Sequence, residues 1–174
     1  MNNLLVLSSD KIKTLVFAAA FTALSVLAPM AAHYFGGPAA GRAFLPMHFF
    51  VLVAGLLLGW RAGLTVGVLT PLISFSVSGM PLFAMLPFIT IELATYGFFT
   101  GLLRDSVKNV WLALVGAMVL GRVVLWLGIA LLPTKLIAGA YVINAVKTGW
   151  MGMALQILLV PMVVVVIQKF LKND

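Results

Sequence analysis

The chain has 174 residues, 63% of them hydrophobic and only 9% charged, with a formal net charge of +7 and no cysteine. A soluble domain of this length has too little interior to hide that much apolar surface, so lipid must be the solvent. Continuous leucine-rich runs exclude a β-barrel, the missing cysteines exclude disulfide and thiolate chemistry, and cations standing singly at segment ends mark membrane topology, with no nucleic-acid partner expected.

At about 20 residues per spanning helix, this length accommodates five or six spans. A polar lead carrying Asp10, Lys11 and Lys13 precedes the first apolar run, about 14–32. That run is longer than a signal-peptide core and more spans follow, so it reads as a retained helix. Ala19 and Ala23 form an A-x-x-x-A pair on it, a spacing that lets another helix approach closely, whether inside this chain or on a partner. The segment 33–46, HYFGGPAAGRAFLP, reads as an irregular loop that acts as a lid or a connector, with Tyr34 and Arg42 as its candidate contacts.

The second helix spans about 47–59 and the third about 62–78, with glycines at 55, 59, 63 and 67 straddling the turn between them. Those glycines are expected to smooth two antiparallel helices where they pack closest, and Pro71 to kink the third helix. The fourth helix, about 83–103, carries Glu92 in mid-run and Tyr96 one turn later. A polar connector, Arg104 to Lys108, leads to a fifth helix at about 110–132 that contains Arg122, closed by Pro133, Thr134 and Lys135. Residues 136–148 are only moderately apolar, and the sixth helix covers about 149–171. The whole is an all-α, polytopic single transmembrane domain, a compact bundle of six helices.

Six spans put both termini on one side. Lys11, Lys13, Arg61, Arg104, Lys108, Lys169 and Lys172 fall there, against Arg42, Lys135 and Lys147 opposite; the positive-inside rule makes that richer side cytoplasmic. At ~1.5 Å per residue, Glu92 and Arg122 then both lie in the outer half of the bilayer, where His48 opens the second helix and Asn144 and Lys147 precede the sixth. Ionisable groups inside a membrane face a cavity or one another. Two readings follow: an outward-facing pocket formed by His48, Glu92, Tyr96, Arg122, Asn144, Lys147 and Trp150, or a structural Glu92–Arg122 pair with His48 and Lys147 anchoring at the interface. No catalytic constellation, metal-ligand spacing or phosphate loop is present, so neither an enzyme nor a self-powered pump is expected, nor any cofactor.

The runs LPMHFFVLVAGLLLGWRAG, SGMP and ELATYG, the A-x-x-x-A pair and the six-helix plan resemble the substrate-binding S components of energy-coupling factor (ECF) vitamin transporters. That resemblance implies a multi-pass subunit in the plasma membrane of a prokaryote that captures a vitamin with high affinity. It also implies partners, a transmembrane coupling protein with two ATPase subunits, onto which the Ala19 and Ala23 face docks as the subunit topples in the membrane. The pocket's cations point to an anionic substrate such as pantothenate; a benzimidazole-type base, stacked on Trp150 or Tyr141, is the second candidate. A self-sufficient proton-coupled carrier using Glu92, or a structural subunit without a ligand, are the competing functions.

Overall fold

A computed structural model describes residues 11–107, 109–131 and 138–172, with 171 and 172 described for their backbone alone. The helices are α1 Lys11–Phe44, α2 Pro46–Leu58, α3 Trp60–Ser78, α4 Leu86–Ser106 with a 3-10 turn (Phe83–Met85) before it, α5 Val110–Leu131 and α6 Ala138–Lys172. Among the described residues there is no strand, and five helical stretches are long and apolar enough to cross a membrane. The protein is an all-α polytopic bundle. Residues 1–10, Lys108, the expected end of the fifth helix at 132, Lys135 and Asp174 lie outside the described residues.

The shortest helix is the best buried. α2 has 13 residues, and Val51 to Leu57 are wholly shielded. A helix that is apolar all round belongs inside a bundle, and one screened from lipid need not match the bilayer's thickness. α1, α3, α4 and α6 surround it, and α3 and α4 make the most extensive pair. Their approach depends on missing side chains. A Cβ on Gly97 would overlap the Gly63 carbonyl, one on Gly67 would overlap the Leu93 carbonyl, and one on Gly101 would overlap the Trp60 backbone. Gly55 and Gly63 do abut, as the spacing predicts, but both are pressed chiefly against Gly97 of α4. Small residues at the contact let backbones meet where lipid supplies no hydrophobic drive. The hydroxyls of Thr22, Thr90, Thr95 and Thr100 return to carbonyls of the preceding turn, so no polar group faces the hydrocarbon unmet on their account.

Two segments differ from the sequence reading. The expected lid loop 33–46 is helical nearly throughout: α1 continues to Phe44 with one break at Gly37, whose φ is 65°. The reason is local. Glycine at positive φ ends one helix and Pro38, placed just after it, starts the next, so a composition that reads as loop makes a kink. α6 begins at Ala138, eleven residues before the expected start at 149, because Val142, Val146 and Trp150 continue its helical stripe onto one cleft. α3 runs through Pro71 without non-helical backbone.

Candidate functional site

Three helices bring the membrane-embedded ionisable groups together. His48 sits in the first turn of α2, just after Leu45, whose left-handed backbone (φ 47°) turns the chain from α1 into α2. Glu92 and Tyr96 share one face of α4, a helical turn apart, and Arg122 comes from the middle of α5. Arg122 Nη1 lies 2.6 Å from Glu92 Oε1, and His48 Nε2 lies 3.4 Å from the same oxygen. The His48 and Tyr96 rings meet edge to face with centroids 5.5 Å apart, and the Arg122 guanidinium stands 6.0 Å from the Tyr96 ring centre. Space for that ring depends on Gly121, where a Cβ would overlap it.

The cluster is buried but not saturated. His48 and Glu92 are buried, Tyr96 is 1% exposed, and His48 Nδ1 and Nε2, Glu92 Oε1, Tyr96 Oη and Arg122 Nε have no hydrogen-bond partner of acceptable geometry, so the contacts at Glu92 Oε1 are ionic in distance alone. Buried polar atoms are normally satisfied, and exceptions mark places where a ligand or water completes the network. Among the described residues no three His, Cys, Asp or Glu side chains gather as a metal would need.

Arg122 also opens onto a cleft of about 660 Å³ between α5 and α6. Its walls carry Met118, Trp126, Val146, Trp150 and Met153, and Arg122 is the one charged side chain in the lining. The cleft is open along its length, with Trp126 45% and Trp150 61% exposed, so its apolar walls face outward from the bundle and Arg122 is its single polar anchor. Tyr141 stands near its end, ring to ring with Phe88 at 5.9 Å, its hydroxyl directed at the Met85 sulfur.

Of the seven candidate binding residues, four thus form one cluster (His48, Glu92, Tyr96, Arg122), and Trp150 shares the cleft with Arg122. Asn144 and Lys147 are exposed and absent from the cleft lining. Each is one or two residues out of phase with Val142, Val146 and Trp150, which rotates it about 100–200° away around α6. Tyr34 is 85% exposed and edge-to-face with Phe35, and Arg42 is exposed in the last turn of α1. Ala19 and Ala23 are both exposed on α1.

Two polar residues have roles that sequence reasoning missed. Arg104, taken for a topology charge, is buried; it donates from Nη1 to the Leu56 carbonyl at 2.7 Å and from Nε to Asp105 at 2.9 Å. It therefore closes the C-terminal end of α2, where carbonyls lack intrahelical donors and favour a cation. Gln156 is 1% exposed on α6 and donates to the Leu45 carbonyl at 3.2 Å. A lone amide in an otherwise apolar span is the signal that would have found it.

A family model described as ECF transporter, substrate-specific component matches residues 13–164. No curated protein and no solved structure matches the chain.

Proposed function

The chain belongs to the ECF transporter substrate-specific components, and from that premise we propose that the α5–α6 cleft, anchored at Arg122, binds a flat, largely apolar vitamin-type base for delivery to an ATP-driven module. Family membership makes it a multi-pass membrane subunit of vitamin-type uptake, and the members of this family are transporter subunits, not enzymes. The observation that carries the ligand reading is that Arg122 belongs both to the ion cluster and to the cleft.

The lining supports one of the two candidate substrates over the other. Pantothenate carries a carboxylate, hydroxyls and an amide, and would need several polar partners. The cleft offers one, and its positive charge is already met by Glu92 at 2.6 Å. Asn144 and Lys147, the further donors that favoured an anion, are outside the lining. A benzimidazole-type base fits better: two tryptophans give it flat apolar walls, and the Arg122 guanidinium in the lining offers a donor to a ring nitrogen. The plasma membrane of a prokaryote and a coupling protein with two ATPases follow from the same membership, and the exposure of Ala19 and Ala23 leaves the α1 face open to such a partner.

The test titrates the detergent-purified protein with benzimidazole and with pantothenate, following tryptophan fluorescence. Benzimidazole should quench it, with affinity at least tenfold lower in Arg122→Ala; binding of pantothenate instead would overturn the ligand class. Uptake driven by a proton gradient in vesicles holding this chain alone would favour the competing carrier reading built on Glu92.

A further inference from the structure

We infer that Gln156 is a positioning residue for His48, holding the α1–α2 junction in the conformation that aims the imidazole at Glu92. The inference rests on the reading of the cluster as part of the ligand site. Leu45 is the only non-glycine residue at positive φ among the described residues. A side chain at that position is sterically disfavoured, so something outside the turn must hold it. Its carbonyl accepts two hydrogen bonds, from the His48 N–H at 3.1 Å and from Gln156 Nε2 at 3.2 Å.

The same face of α6 grips the junction sterically. A Cβ on Gly149 would overlap the Leu45 side chain, and one on Gly152 would overlap the Phe44 backbone carbonyl. Residues 149, 152 and 156 are spaced three and four apart, which places them on one side of the helix. The adjoining side carries Trp150, Met153 and Ile157 into the cleft. α6 therefore touches the ligand cleft with one side and the strained turn before His48 with the next. A ligand that shifts α6 would act on the His48 position through Gln156. The remaining amide oxygen of Gln156, Oε1, is buried and unpartnered, so the side chain makes no competing hydrogen bond that would explain its burial by itself.

The experiment needs no ligand. The chain has two histidines and four tryptophans, so protein labelled with 15N and 13C at these residues in nanodiscs gives few, assignable ring signals, with His33→Gln identifying His48. Gln156→Met should shift the His48 imidazole signals while leaving the indole of Trp60, at the far end of α2, in place. Glycine adopts the left-handed turn without strain, so in a Leu45→Gly background the same Gln156→Met change should shift His48 by less than half as much. An unchanged His48 signal in folded Gln156→Met protein, or an equal shift in both backgrounds, overturns the proposal. If Gln156→Met alone does not fold, recovery of folding by Leu45→Gly supports it; failure of both variants to fold makes Gln156 a general packing residue and overturns it. Benzimidazole titration of the same variants is a separate arm: absence of binding to the unaltered protein sinks the ligand reading while the ring signals still judge Gln156.

Discussion

Removing the Glu92 carboxylate would strand a guanidinium whose side chain is only 12% exposed. Breaking one half of a buried pair costs about 3–5 kcal/mol, because the remaining charge is uncompensated, whereas removing both halves together can be close to neutral. Glu92→Gln is therefore expected to lower the thermal midpoint in detergent sharply, and the Glu92→Gln, Arg122→Gln double variant to recover most of that loss; additive losses would show that the two residues do not act as a pair. At this scale the sequence was informative wherever a formal charge interrupted an apolar run, which is why His48, Glu92 and Arg122 could be brought together in advance. It was silent on helix phase. Depth alone puts Asn144 and Lys147 near the cluster, whereas an offset of one or two residues on α6 leaves them out of the cleft lining. Gln156 went unseen because an amide carries no charge to flag it.

Among the elements, α4 depends most on what its residues lack. A Cβ on Gly97 would run into the Gly63 backbone of α3, while the Gly97 carbonyl receives the close approach of Gly55 of α2. Gly97→Leu should destabilise the bundle by about 1–3 kcal/mol, the usual cost of overpacking, whereas Gly139→Leu, where a Cβ meets nothing closer than 4.0 Å, should leave the thermal midpoint unchanged. Equal effects would refute the glycine-mediated contact. The recurrence of glycine every fourth residue was visible in the sequence, but its main partner was not, since Gly97 and Gly101 lie more than thirty residues further along. Segment 33–46 was misread for a related reason. Glycine and proline are punctuation, and a single Gly-Pro step can kink a helix as readily as end it.

For the whole molecule, composition alone required a membrane-spanning helical bundle, and the structure agrees: among the described residues there are six α-helices, and five helical stretches are long and apolar enough to span. In the delivery that the family resemblance implies, the subunit topples in the bilayer, and its buried charges would then move through the membrane's electric field. A potential of 100 mV does about 2.3 kcal/mol of work on one elementary charge, roughly a fiftyfold bias in rate. Because the Glu92 carboxylate and the Arg122 guanidinium are locked 2.6 Å apart, they cross that field as a pair of zero sum, and the voltage has nothing to pull on there. Uptake by the Glu92→Gln ATPase-coupled complex in proteoliposomes is thus expected to respond more strongly to an imposed potassium diffusion potential than uptake by the unaltered complex; equal responses would show that the pair does not cross the field as a unit. A binding pocket built on a contact ion pair is, in electrical terms, invisible cargo: the membrane potential exerts no net force on the pair itself.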